Sequence, residues 1–262
     1  MNGRVSMAYR TSVTIHPTAL VDEGVHLGEG CVVHAYAVIK RGAILGDGVV
    51  VHSFAVIGDE PQDVHFESAT TTGVRIGART VIREHVTVHR STRAGAFTEV
   101  GEGCLLMVGC HVGHDGRIGN HVAIANDALL AGHVHVGDHA FLGGGAVIHQ
   151  FCRIGDSAMI GGGARISRDV PAFTMATERD GLIGLNLVGI RRRGFTGSAV
   201  RELKRAFHAV YDGHGNVRDN ARRALEGDGF QEPSTRQFLA GFAEGTRGFV
   251  RPRRTRGAEV DE

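Results

Sequence analysis

The sequence predicts a repetitive all-β domain built from six-residue units, followed by a small α-helical domain. Three observations carry this reading. Aliphatic residues recur at every sixth position over most of the chain, 39 of the 262 residues are glycine, and the spacing turns helical after about residue 171. The first run of anchors is Ile15, Val21, Leu27, Val33, Ile39, Leu45, Val51 and Ile57. A second opens at Ile76 and passes through Ile82, Val88, Ala94, Val100, Leu106 and Val112 to Ile166, with Ala94 its one weak member. A period of six does not match the 3.6 residues of a helical turn but suits a short strand plus a tight turn. Ordinary strands of a sandwich would not hold strict phase for so long. Glycine often follows the anchor, as in Leu27-Gly28 and Ile118-Gly119, and is expected to supply turn angles that other residues resist.

Two insertions interrupt the run. Residues 58–75 (GDEPQDVHFESATT at their core) shift the phase by one, and residues 90–98 keep the phase but lose the aliphatic pattern, so both are read as excursion loops. The repeat stops after Asp169-Val170-Pro171. Ala199, Val200, Leu203, Phe207 and Val210 then follow helical spacing behind a Ser198 cap, as do Phe238, Leu239 and Phe242 behind Ser234. The division is therefore a repeat domain over 1–185 and an α-helical domain over 186–262, with the basic tail from Arg251 to Glu262 read as a solvated end.

Composition excludes several classes. With 29 Lys and Arg against 28 Asp and Glu, the formal charge of +1 argues against a general nucleic-acid or membrane-surface protein. Four cysteines without CxxC or framework spacing read as reduced, buried residues of a cytoplasmic protein. No apolar run is long enough to span a bilayer, and the start MNGRVSMAYR lacks the apolar stretch of a signal peptide, so no stable membrane insertion is expected.

The six-residue pattern resembles the hexapeptide repeat of the left-handed parallel β-helix, in which three hexads make one triangular coil. The left-handed crossover comes from that resemblance, not from the period. Positions three hexads apart then stack about 4.8 Å from each other. On that basis His111, His114, His133 and His149 share one edge of three successive coils, around the inward column Val112, Leu130, Ile148. Clustered histidines suit proton transfer near neutral pH, whereas a lone one is usually a solvated side chain. His111, His114 and His133 could equally offer three imidazoles to zinc. Gly143-Gly144-Gly145 and Gly161-Gly162-Gly163 lie one coil apart; they either permit tight turns or leave a bare strip for an extended apolar chain.

The stretches LLMVGCHVGHDGRIGN, LAGHV, VIHQF and IRRRGF are similar to the signature stretches of the UDP-N-acetylglucosamine acyltransferase family, and the likeness extends over essentially the whole chain. The resemblance implies an acyltransferase that moves a (3-hydroxy)acyl group from acyl carrier protein to the 3-position of UDP-N-acetylglucosamine, the first step of lipid A synthesis. It implies a homotrimer with sites between neighbouring prisms, and no resident cofactor or metal. It makes His114 the general base, followed by Asp115, with the Gly132 N–H as oxyanion donor. Substrate contacts fall to Asp63, His89, His111, His133, His149, Gln150, Asn186, Arg192 and Arg193, and the acyl groove to Gly144 and Gly162. The arginines suit a diphosphate, although an RRR run is commonly just a solvated face. His65 stands where the family usually has lysine, and Val188 where it usually has glutamate, which bears on nucleotide-sugar contacts and not on the chemistry. Competing readings are a related hexapeptide acyltransferase using a 3-amino UDP-sugar or acyl-CoA, a γ-type zinc hydratase, and an inactive scaffold.

Overall fold

The computed structural model describes residues 12–213 and 215–252. Successive short strands fall on three faces of a prism: Thr14–Ile15 on face A, Leu20–Val21 on face B and His26–Leu27 on face C, before Val32–Val33 returns to face A. The faces are sheets of eleven, eight and seven strands. The architecture is the left-handed parallel β-helix with a small helical domain behind it. Ile15 pairs with Val33 and Val33 with Val51, a step of three hexads, and the anchors from Val33 onward are buried to within a few per cent.

The insertions are visible in the register. Leu45 pairs with Ile76, where an unbroken step of three hexads would end at Asp63, so the first insertion adds two hexads and one further residue. Val88 pairs with Val112, four hexads on instead of three, so the second adds one hexad. Because that hexad is whole, the count of six runs through it. Ala94 is therefore not an anchor: it is exposed on that loop, and the column passes from Val88 to Val112 without it. Both insertions replace the turn between faces B and C, in two consecutive coils.

The glycines serve a different purpose from the expected one. Gly28, Gly46, Gly119 and Gly155, each behind an anchor, do not have positive φ; a Cβ at Gly28 would fall 2.6 Å from the backbone N of Asp47, and one at Gly155 would fall 2.2 Å from that of Ala172. Close approach of coils, not turn angle, demands them. The left-handed position comes two residues later, and many side chains occupy it, among them Tyr36 (φ 60°), Asp115 (58°), His133 (60°) and Phe151 (66°). Such a conformation costs about 1–2 kcal/mol. Burial of an aliphatic anchor returns about 1.5–3 kcal/mol per hexad, and the coil-to-coil hydrogen bonds add to it. On the edge between faces C and A a side-chain ladder helps: Asp138 accepts from the Asn120 N–H at 2.7 Å, and Asp156 from the Asp138 N–H at 3.0 Å.

Face A continues past Pro171 with Thr174–Thr177, parallel to Met159–Ile160, and folds back through the antiparallel strand Gly181–Leu185. Four helices follow: α1 (Leu187–Arg192), α2 (Gly197–Tyr211), α3 (Val217–Glu226) and α4 (Pro233–Ala240). They bury Leu203, Val210, Phe238 and Phe242 against Phe173 of the prism end. The caps differ from the sequence expectation. Thr196, not Ser198, accepts the Ala199 N–H, and α4 begins at Pro233, whose missing N–H is at home in a first turn. The tail also differs at its start, because Arg251–Pro252 pairs with Gly181–Leu182; residues 253–262 lie outside those described, as does the segment 1–11. Among the described residues no helix is long and apolar enough to cross a membrane.

All four cysteines are free and buried, and burial pushes the thiols of Cys110 and Cys152 up to about 12. The native protein is therefore expected to leave Ellman's reagent uncoloured over minutes, while all four thiols react once guanidinium opens the coils. A fast native thiol would show that a coil is open to solvent.

Candidate active site at the edge between faces B and C

Three consecutive turns on this edge place His114-Asp115, Gly132-His133 and Gln150-Phe151 one above another. His114 Nδ1 lies 2.9 Å from Asp115 Oδ2. Asp115 is 4 % exposed, and its carboxylate also accepts the Ser91 hydroxyl, the Thr92 hydroxyl at 2.7 Å and the Thr92 N–H at 3.2 Å. Its backbone N–H donates to Thr98 Oγ1 at 2.8 Å. Burial acts to raise this carboxyl, but the donors from His114, Ser91 and Thr92 outweigh it and hold the group well below the usual carboxylate range. An ionised Asp115 is acceptor only, so Nδ1 of His114 carries the proton and Nε2 keeps the free lone pair. That end of the ring lies over Gly132, where an added Cβ would sit 2.5 Å from His114 Nε2. Any side chain at 132 would displace the imidazole.

The remaining histidines divide by position. His133 packs edge-on to His114 at 5.1 Å between centroids and stacks on Phe151 at 4.6 Å. His111 sits on the outer side of face B, edge-on to His89 at 4.8 Å, with its Nδ1 2.7 Å from Thr87 Oγ1. Burial first, then the neighbouring His89 and His114, push His111 down to about 4. Burial also lowers His89 and His133, in the latter case against the pull of Asp115. These three are neutral at pH 7 and act as hydrogen-bonding groups. His89 Nδ1 is buried with no partner among the described residues. His149 and Gln150 lie one coil further, where Arg247 reaches His149 Nδ1 at 3.2 Å. Asp63, on the first insertion, comes near enough to His133 to act on its imidazole, and accepts the His65 N–H at 3.0 Å.

The three imidazoles considered for zinc do not converge, since His111 is turned to Thr87. The group that does converge is His114, Asp115 and His133, with ligating atoms within 4.8 Å of one another, and its carboxylate is already engaged by Ser91, Thr92 and His114. Asp115 and His133 line a cleft of about 420 Å³ that also carries Arg93, Arg117, His135 and Arg153. Its cationic walls favour an anionic ligand. A larger cavity of about 580 Å³ lies between face C and α4, away from the His114-Asp115 pair.

Asn186, Arg192 and Arg193 are not on this edge. Asn186 Oδ1 caps α1 through the Gly189 N–H, its amide donates to the Ser157 carbonyl at 3.0 Å, and Arg193 donates to Ser157 Oγ. Ser157 and the nearby His139 belong to the edge between faces C and A. The sequence-predicted residues thus form two groups on two edges of one prism.

The glycine triplets sort by position. At Gly143 a Cβ would fall 2.5 Å from the Gly162 backbone N, so glycine is obligatory there; Gly145 and Gly163 have φ of 66° and 65°. Gly144 and Gly162 are different. A Cβ at Gly162 would meet only the Gly144 carbonyl at 3.4 Å, so neither packing nor φ demands glycine. Sequence reasoning missed Ser91, Thr92 and Thr98, which hold Asp115. Their only signal was a polar insertion of one hexad placed before the HxxHD stretch.

Comparison with known proteins bears on the fold and the family. Residues 169–250 match the family model for domain 2 of UDP-N-acetylglucosamine O-acyltransferase, and residues 24–59 and 133–168 match the bacterial transferase hexapeptide repeat. A curated acyl-[acyl-carrier-protein]–UDP-N-acetylglucosamine O-acyltransferase from Thermodesulfovibrio yellowstonii is 42% identical over 201 residues, covering 76% of this chain and 78% of its own. Among solved structures, the UDP-N-acetylglucosamine acyltransferase of Campylobacter jejuni superposes with a TM-score of 0.81 at 35% identity, covering 92% of this chain and all of its own. That of Arabidopsis gives 0.78 at 30% identity, over 90% and 100% of the two chains. With this length of shared fold and identity, the chain belongs to the UDP-N-acetylglucosamine O-acyltransferase family.

Proposed function

We propose that this protein transfers an acyl group from acyl carrier protein to the 3-hydroxyl of UDP-N-acetylglucosamine in the cytoplasm, opening lipid A synthesis, with His114 as general base. The observation that carries the chemical reading is the hydrogen bond from His114 Nδ1 to a buried, ionised Asp115, which leaves Nε2 as the base. Nε2 takes the proton of the sugar hydroxyl as its oxygen attacks the thioester carbonyl. The Gly132 N–H receives the oxyanion, and collapse expels the carrier's thiolate, which takes the proton back from His114. Asp115 steadies the imidazolium in between, as the buried carboxylate of a Ser-His-Asp triad does. No resident metal or cofactor enters this scheme.

Sugar binding falls to the groups around the base. The unpartnered His89 Nδ1, with His111, His133, Asp63, His149 and Gln150, offers hydrogen bonds on one edge. Asn186, Arg192 and Arg193, on the other edge, would meet the diphosphate from a neighbouring prism. A homotrimer fits the outer surfaces: face B exposes Leu20, Leu129 and Val147 and face A exposes Phe141, whereas face C carries Arg75, Glu99, Arg117 and Arg153. Two apolar faces toward partners and one charged face toward water is the arrangement a closed ring needs.

His114→Ala is expected to lower kcat by about two to four orders of magnitude with an unchanged melting temperature; near-normal turnover in the folded variant would remove the assignment. Co-expression tests the shared site. His114→Ala and Arg192→Ala/Arg193→Ala homotrimers should each be weak, while mixed trimers regain about one site in three. Mixed trimers no better than either parent would place both groups in one subunit's site. The bare positions Gly144 and Gly162 are read as the acyl groove. Wild type should prefer donors of about fourteen carbons over those of about ten, and Gly162→Met should reverse that order by filling the groove end. Competition between the two thioesters decides it, and an identical preference in both proteins would place the end of the groove elsewhere.

A further inference from the structure

The insertion between His89 and the strand Phe97–Val100 contributes none of the residues assigned above, yet it holds the hydrogen-bond donors of the catalytic pair. It adds one hexad to the coil immediately before His114 and takes the place of the turn that would otherwise stack on His114-Asp115. Ser91 is fully buried and donates to Asp115 Oδ1, while its own Oγ accepts the Arg93 N–H at 3.2 Å. Thr92 donates twice to Oδ2, through its hydroxyl and its N–H. With His114 Nδ1 also on Oδ2, both oxygens are taken and the carboxylate plane is fixed from three directions.

We infer that this hexad is the positioning element of the reaction: Ser91 and Thr92 hold Asp115 ionised and oriented, and through it set the tautomer and aim of the His114 ring. The inference rests on the reading of His114 as the base. Neither residue touches substrate; both act through Asp115. An ordinary tight turn in this place could not supply the two hydroxyls, because its side chains would point outward, as Phe151 does one coil beyond His133 with 46 % exposure. The charged and titratable groups facing the pair are His133 from the next coil, 3.8 Å from Asp115 Oδ2, Arg93 from the insertion, 3.7 Å from Oδ1, and His89 and His111 toward His114.

The sign of the effect follows from proton binding. Removing a hydroxyl donor weakens the stabilisation of the Asp115 anion, so the pair takes up a proton at higher pH, on the carboxylate or on the imidazole. Either way the base is lost sooner on acidification. Ser91→Ala and Thr92→Val should therefore lower kcat by about tenfold to a hundredfold, leave the KM for UDP-N-acetylglucosamine within about twofold, and move the acid limb of the kcat/KM profile to higher pH. Thr92→Ser, which keeps the hydroxyl, should restore the wild-type profile.

The test is a full pH–rate profile of the four trimers, wild type, Ser91→Ala, Thr92→Val and Thr92→Ser, with melting temperatures alongside and His114→Ala assayed in parallel. If the fully buried Ser91→Ala fails to fold, the isosteric Thr92→Val with its Thr92→Ser control carries the test. A lowered kcat with an unmoved acid limb would make the hexad a purely structural brace and overturn the proposal, as would unchanged kcat. Loss of activity in His114→Ala together with unmoved profiles in the Ser91 and Thr92 variants sinks this inference alone; an active His114→Ala sinks the base assignment beneath it.

Discussion

The burial of one aliphatic anchor per hexad sets the register on which every other feature stands. Because Val112, Leu130 and Ile148 must stack inside the prism, the residues behind them must stack outside it, and His114, Gly132 and Gln150 become neighbours although three hexads separate each from the next. The interior is close-packed, so this register does not slide. The geometry of the candidate site is therefore inherited from the core. His114 approaches Gly132 because coils are one strand spacing apart, and no side chain at 132 competes for the space.

Holding a carboxylate in that frame is the costly step. A buried charge is tolerated only when it is paired and hydrogen-bonded. Asp115 meets the condition with four donors, three of them from the inserted hexad, and the resulting anion fixes which nitrogen of His114 is free. The neighbouring imidazoles go the other way. None of His111, His89 and His133 is hydrogen-bonded to a carboxylate, and burial outweighs the pull of Asp115 on His133 from 3.8 Å, so burial keeps them neutral. One edge thus holds an imidazole polarised by a carboxylate beside uncharged hydrogen-bonding groups, a division set by surroundings and not by residue type.

Much of this was legible in the sequence, because a period of six acts directly on geometry. The anchors named their own columns, and once a coil is three hexads long the histidine edge follows. The failures have physical causes. Ala94 looked like a weak anchor because an insertion of one whole hexad leaves the phase intact. Gly28 and Gly155, behind their anchors, suggest turn formers, yet crowding between coils requires them, and a one-dimensional pattern does not distinguish a tight turn from a close approach. Ser198 looked like a cap, but Thr196, two residues earlier, has the extended backbone (φ −66°, ψ 158°) from which a side chain can reach the Ala199 N–H. The grouping of Arg192 and Arg193 with the histidines rests on family resemblance; in one prism Arg193 donates to Ser157 on the edge between faces C and A, apart from the histidines.

The position of the two insertions gives the fold its asymmetry. Among the described residues, only the edge between faces B and C is interrupted, in two consecutive coils, and the His114 turn comes directly after. A regular edge presents its turn residues to water, and an exposed Asp115 would be screened and weakly coupled to its histidine. Covering that edge with extra chain lowers the local dielectric and supplies donors at once, while the rest of the coil stays regular enough to keep its register. The left-handed backbone at Asp115 completes the arrangement, since φ of 58° with the N–H tied to Thr98 Oγ1 turns the carboxylate under the insertion instead of out to solvent. The geometry of the candidate site is thus concentrated where the repeat is broken, and its precision is supplied by the coils on which the repeat is kept.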